Sequence, residues 1–292
     1  MGWFSFERYG ATAGDLMARD VVCDWLRAAG HGFDVALAPP FAGGVDWQTV
    51  DPSAYTHLLF VCGPFGDNDV TRGFFDRFAH CRKIGVNLSM LESIDRWNPF
   101  DLLIDRDSSR AANPDLSLLC DLPKVPVVGL LLVHPQQEYG ARGRHQQAND
   151  AVWRLIKANA MAVVDIDTRL DENRTGLRSA SEVESLIARM DMVLTTRLHG
   201  LVLAIKNGVP ALALDAIAGG AKVTRQAQSL GWPLRLSVDT MTDEGLQQAF
   251  DYCLTPEARE MARQCAGNAR DALLSVRQDF LADTNIQTAG VV

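Results

Sequence analysis

The segment Thr195-Thr196-Arg197-Leu198-His199-Gly200 sets a guanidinium and an imidazole two positions apart, where a strand is expected to give way to a helix. A helix N-terminus carries unpaired N–H groups and partial positive charge, so it accepts anions. Arg197 adds a fork that fits phosphate or carboxylate through two parallel hydrogen bonds, and Leu198 and Gly200 are counted with it as binding residues. His199 adds a titratable group able to hand a proton to a reacting atom. The alternative is an Arg197 that pairs with a nearby carboxylate and a His199 that only caps the helix.

Three other loops carry candidate chemistry. Asp215 is followed by Gly219-Gly220-Ala221-Lys222 and a further helix. A cation at a helix start opposes the dipole, so Lys222 is explained either by an anionic ligand or by a solvated lysine in a flexible loop. In the first half, Gly14 and Asp15 open a helix, where Asp15 serves either as an N-terminal cap or as a base. Gly63-Pro64-Phe65-Gly66-Asp67-Asn68 follows a strand. Gly63 and Asn68 are candidate substrate contacts and Asp67 a second candidate base; the plainer reading is an ordinary turn. His134, Glu138 and His145 are expected to be solvated loop residues.

The elements that must position these groups alternate. Strands are expected at Gly2–Phe6, Phe33–Leu37, His57–Cys62, Lys83–Val86 and Leu102–Ile104, then at Val127–Val133, Ala162–Val164, Met192–Thr195 and Ala211–Leu214. Helical spacing marks Asp15–Ala29, Thr71–Cys81, Gln146–Asn159, Ser181–Ala188, His199–Asn207 and Lys222–Leu230. The strands read as continuous Val/Leu/Ile runs, the mark of a parallel sheet covered on both faces. The tail changes character: Glu244–Leu254 and Pro256–Leu281 are helical without intervening strands. The expected fold is α/β, two Rossmann-like domains with parallel sheets facing a cleft and a helical C-terminal tail. The boundary falls in the proline-flanked stretch Leu122–Pro126, giving domains 1–124 and 125–292.

Composition narrows the function classes. A chain of 292 residues has room for about two domains. Hydrophobic residues at 47% and charged residues at 22% exclude general disorder. A net charge of -8 and a pI near 5.2 weaken any case for nucleic acid or an anionic membrane surface, which need a basic face. No apolar run approaches the roughly 20 residues of a membrane helix, and the N-terminus lacks the pattern of a signal peptide. Cys23, Cys62, Cys81, Cys120, Cys253 and Cys265 form no CxxC pair and mostly sit in apolar segments. They are expected to be buried thiols in a cytoplasmic protein, without disulfides or a metal site.

The order of these features resembles the polysaccharide pyruvyl transferase family. The strongest likeness is Asp191–Asp215, DMVLTTRLHGLVLAIKNGVPALALD, followed by Lys222. Weaker agreements are Gly14-Asp15, the glycine loop Gly63–Gly66, Arg106-Asp107-Ser108-Ser109 and Pro114-Asp115-Leu116. The resemblance implies a GT-B-like fold with the tail helix crossing back to the first domain. It implies transfer of a pyruvyl group from phosphoenolpyruvate to a sugar of a cell-surface glycan or its lipid-linked precursor, forming a ketal. No cofactor is implied. The second domain would be the donor side, with Arg197 and His199 carried over as donor-site residues, and the first the acceptor side. Peripheral association with glycan assembly machinery would fit. Two readings stay open beside it: a glycosyltransferase of the same fold using a nucleotide sugar, and a non-catalytic relative that binds a glycan or metabolite.

Overall fold

The computed structural model describes residues 10–134 and 136–283. The chain divides between Pro123 and Lys124 into two compact units. The expected strand Gly2–Phe6 lies outside the described residues.

In the first unit, Thr12 opens helix α1 (Ala13–Ala28) with a reciprocal capping box, its hydroxyl accepting from the Asp15 N–H and the Asp15 carboxylate accepting from the Thr12 N–H. Strands β1 (His57–Val61), β2 (Pro64–Phe65), β3 (Arg82–Met90) and β4 (Leu102–Asp107) form one parallel sheet, with helix α2 (Asp69–Arg77) between β2 and β3. β1 and β2 pair with β3 in the same register, His57 with Arg82 and Pro64 with Ser89. Cys62 and Gly63, both at positive φ, interrupt them. Phe60, Phe65, Phe74, Phe78 and Phe100 make the core on this sheet, with the Phe60 and Phe65 rings 4.8 Å apart edge to face. The expected strand Phe33–Leu37 is reduced to one isolated bridge, Ala36 with Val45. Its partner lies only a short loop away, and Pro39 and Pro40 have no N–H with which to extend the pairing.

The second unit holds β5 (Val127–Leu131), α3 (His145–Ala158), β6 (Ala162–Asp165), α4 (Ala180–Ile187), β7 (Met192–Thr195), α5 (Leu198–Lys206), β8 (Ala211–Asp215), α6 (Lys222–Ser229) and β9 (Leu236–Ser237). Its five strands are parallel, in the order β6-β5-β7-β8-β9. β7 and β8 are buried along their whole length, which is why their sequences are unbroken apolar runs rather than alternating ones. The tail is helical, as expected: α7 (Asp243–Cys253) and α8 (Pro256–Asp283). α8 packs on the second unit through Ala258, Ala262 and Cys265. From β5 the chain goes to β6 on one side and then to β7 on the other. The carboxyl ends of β5 and β7 therefore flank the point where strand order reverses, the place where open parallel sheets hold ligands.

Candidate functional site

At that reversal point the two threonines tie the strand ends together. The Thr195 hydroxyl donates to the Leu131 carbonyl at 2.9 Å and accepts from the Arg197 N–H at 2.9 Å. Thr196 Oγ1 accepts from the Val133 N–H at 2.8 Å. Gly200 lets α5 sit against this junction: a Cβ there would stand 2.2 Å from Thr195 Oγ1. Gly200 is thus a packing glycine, and Leu198, half-buried, packs against the core of the unit.

Arg197 takes the N-cap position of α5 without capping it through its side chain. Its Nε donates to the Leu132 carbonyl at 2.8 Å, Nη1 donates to Thr168 Oγ1 at 3.2 Å, and Nη2 lies 3.3 Å from Asp167 Oδ1. Burial pushes the guanidinium pKa down, and the Asp167 carboxylate opposes that shift. Arg197 therefore has the nearby carboxylate that the alternative reading anticipated, while each terminal nitrogen keeps a second N–H. His199 stands in the first turn of α5, exposed and without a hydrogen bond among the described residues. It caps nothing, so it is free to meet a ligand at the helix N-terminus.

The loop after β8 is held by a carboxylate of the protein itself. Asp215, 1% exposed, accepts through Oδ2 from the Ala221 and Thr224 N–H groups at 2.8 and 2.9 Å and from Thr224 Oγ1 at 3.0 Å. Its Oδ1 accepts from the Ile217 N–H at 3.1 Å. The anion at the N-terminus of α6 is the protein's own carboxylate. Lys222 is exposed, with Nζ 5.5 Å from the centre of the Tyr139 ring. The glycine loop is pinned, because Arg142 donates to the Ala218 and Gly220 carbonyls at 3.1 and 3.3 Å.

His145 corrects an expectation. It is not a solvated loop residue but the first residue of α3, 7% exposed, with an Nε2 that has no hydrogen-bond partner. Burial pushes its pKa down; Glu138 opposes this and Lys222 adds to it. Glu138 is exposed, as expected. His134 is half-buried, with Nε2 3.9 Å from Asp167 Oδ2.

In the first unit, Asp15 caps α1, and Gly14 lies beside the Thr12 hydroxyl. Gly63, at φ +80°, brings the chain close to Asp15: a Cβ on it would be 3.7 Å from Asp15 Oδ1. Asp67 is held by Arg72 through two bonds of 2.7 Å, which keep its carboxyl below the usual range. Asn68 caps α2 by accepting from the Thr71 N–H. A cluster that residue spacing did not reveal lies at the ends of β1, β3 and β4. Arg106 joins Asp115, Asp107, Ser89 and Cys62 there, with Nη1 3.2 Å from Cys62 Sγ. Its only sequence signal was the pair of segments Arg106-Asp107 and Pro114-Asp115. The Cys62 thiol is pushed up to about 11, chiefly by burial, which makes it a poor nucleophile. Among the described residues no group of three or more His, Cys, Asp or Glu side chains could hold a metal ion. No helix among them is long and apolar enough to cross a membrane.

Two parallel-sheet α/β units, the second carrying a cation and an imidazole where its strand order reverses, define the class of this protein. Within the second unit, residues 139–216 match the family model described as polysaccharide pyruvyl transferase. That stretch runs from Tyr139 through Arg197 and His199 to the strand-end residue Asp215. No curated protein matches the chain. Among solved structures it is similar to the spinosyn rhamnosyltransferase SpnG complexed with spinosyn aglycone, at 12% identity over 95% of this chain and 99% of that one, TM-score 0.36. It is similar to the spinosyn forosaminyltransferase SpnP at 15% identity over 96% and 99%, TM-score 0.33. It is similar to the UDP-GlcNAc 2-epimerase from Methanocaldococcus jannaschii at 11% identity over 94% and 98%, TM-score 0.32.

Proposed function

We propose that this chain transfers a pyruvyl group from phosphoenolpyruvate to a sugar of a cell-surface glycan or its precursor, releasing phosphate and closing a ketal. The observation that carries the reading is the family-model match over residues 139–216, which contains the β7–α5 strand end. The α5 N-terminus and Arg197 supply positive charge for the donor. The methylene carbon of phosphoenolpyruvate takes a proton and becomes a methyl group; the two sugar hydroxyls bond in turn to the adjacent carbon, giving up their protons to the base and to the departing phosphate, which leaves that same carbon. His199 is our candidate for the acid, since it is exposed and unpaired at the helix start. Asp15 and Asp67 are the candidates for the base; the first also caps α1 and the second is also held by Arg72. In this reading residues 125–292 form the donor side and residues 1–124 the acceptor side.

The test is direct. The protein is heated with phosphoenolpyruvate, inorganic phosphate or nucleotide sugars, since a ligand of the native state raises its melting temperature. It is then incubated with phosphoenolpyruvate and a panel of glycans while phosphate release and the ketal methyl signal are followed. Protection by phosphoenolpyruvate and acceptor-dependent phosphate release are expected. Protection by a nucleotide sugar with none by phosphoenolpyruvate would replace this reading with glycosyl transfer.

A further inference from the structure

The second unit also contains a pocket of about 340 Å³ beside the β5–β6 side of its sheet. Asn149 and Trp153 line it from one face of α3, Asp165 from the end of β6, and His134, Asp167 and Arg174 from the loops that follow the strands. Its size falls within the range of small-molecule sites, roughly 300–1,000 Å³.

Two lining residues carry buried acceptors with no donor. Asp167 is 6% exposed, and its Oδ1 accepts from the Arg169 N–H at 3.0 Å and faces Arg197. Its Oδ2 is buried and accepts no hydrogen bond, with His134 Nε2 3.9 Å away. Asn149 Oδ1 is likewise buried and unbonded. Folded proteins rarely leave such atoms unpaired, because burying an acceptor forfeits its bonds to water. The backbone of the loop that carries Asp167 is tied down. The Asn173 amide donates to the Asp167 and Arg169 carbonyls at 2.9 and 2.6 Å, and its Oδ1 accepts from the Thr175 and Leu177 N–H groups at 2.9 and 2.9 Å.

A ligand that brings donors satisfies both acceptors, and it meets two carboxylates, Asp165 and Asp167, against one guanidinium, Arg174, a balance that disfavours an anion. Trp153, 45% exposed, adds an aromatic surface at the pocket. Hydroxyl donors on one side of a compact ring and C–H groups on the other describe a pyranose. We infer that this pocket binds a neutral pyranose ring, with Asp167 Oδ2 and Asn149 Oδ1 accepting from its hydroxyls and Trp153 against its C–H face. Asp167 would then serve two partners, one oxygen for Arg197 and one for the sugar. A catalytic use for that link rests on the pyruvyl-transfer reading; the binding does not.

The test uses the whole protein and a panel of methyl glucoside, methyl galactoside, methyl mannoside and N-acetylglucosamine, by saturation-transfer NMR and calorimetry. No phosphoenolpyruvate is present and no turnover is read, so a negative result leaves pyruvyl transfer standing. At least one sugar should bind saturably with a dissociation constant in the millimolar range. Trp153→Ala and Asn149→Leu should each weaken it about tenfold or more, while Trp153→Phe, which keeps an aromatic face, should retain most of the binding. Circular dichroism checks that each variant is folded. Absence of binding by every sugar at about 50 mM, or binding unchanged in both Trp153→Ala and Asn149→Leu, would overturn the inference.

Discussion

Arg197 Nη2 and Asp167 Oδ1 lie 3.3 Å apart, and both side chains are buried, 12% and 7% exposed. One residue follows β7 and the other follows β6, so the pair bridges the two loops across the end of β5. A charge in that position is tolerated because its partner is in place.

Removing either partner should therefore destabilise the second unit. Asp167→Asn or Arg197→Ala is expected to cost on the order of 3–5 kcal/mol, since each leaves the other charge buried and unpaired. Arg197→Lys should recover little, because lysine lacks the fork that reaches Leu132, Thr168 and Asp167 together. Urea denaturation of the three variants measures this. Stability within about 0.5 kcal/mol of the parent protein would show the pair to be incidental.

Asp215 is expected to be a stability residue. Four donors converge on its buried carboxylate. Asp215→Ala should cost roughly 3 kcal/mol or more, because buried N–H groups at the start of α6 lose a charged acceptor. Denaturation reads the loss; an unchanged midpoint would mean that these donors find water instead.

Gly200→Ala tests the fit of α5 on β7. The new Cβ would sit 2.2 Å from Thr195 Oγ1 and 2.8 Å from Thr195 Cβ. The helix must move away from the strand, at a cost of about 1–3 kcal/mol. A fall in melting temperature is the expected result, and the hydrogen bonds of Thr195 to Leu131 and Arg197 should weaken with it.

His199 should separate chemistry from folding. Because it is exposed, His199→Ala and His199→Gln should each change stability by no more than about 0.5 kcal/mol. If it is the proton donor, both should lower ketal formation by roughly 10²–10⁴-fold. Near-normal turnover of His199→Gln at saturating phosphoenolpyruvate would remove it as the acid and leave it a phosphate contact.

His145 predicts a pH dependence of stability. Its folded-state pKa is depressed below the ordinary value of 6.5 by burial, so the unfolded chain takes up the proton first. The stabilisation from keeping it neutral is present above pH 6.5 and is lost as pH falls toward the lower folded-state pKa. The slope of unfolding free energy against pH in that window should be shallower in His145→Gln. Identical slopes would assign the acid sensitivity to other groups.

Much of this protein was legible in its residues because the patterns involved are local. A run such as Met192–Thr195 is apolar along its length only if both faces of its strand are covered, and β7 is such a strand. Helical spacing at Gln146–Asn159 and Lys222–Leu230 reports nearest neighbours, and α3 and α6 begin within a residue of those bounds. The strand-to-helix junction at Thr195–His199 was visible for the same reason. The failed strand at Phe33–Leu37 shows the limit: its residues suit a strand, but pairing depends on what lies alongside. Which carboxylate meets Arg197 was decided by strand order, since only the placement of β5 between β6 and β7 brings Asp167 to it. That the Asp215 carboxylate meets the N–H groups at the start of α6 depends on a loop folding back over the end of β8. His145 looked like a loop residue in sequence, and becomes buried because the segment before it pairs, through Gly143, with Ile217. Sequence periodicity encodes which face of an element is covered; the partners of buried polar groups come from distant parts of the chain, and only the tertiary structure selects them.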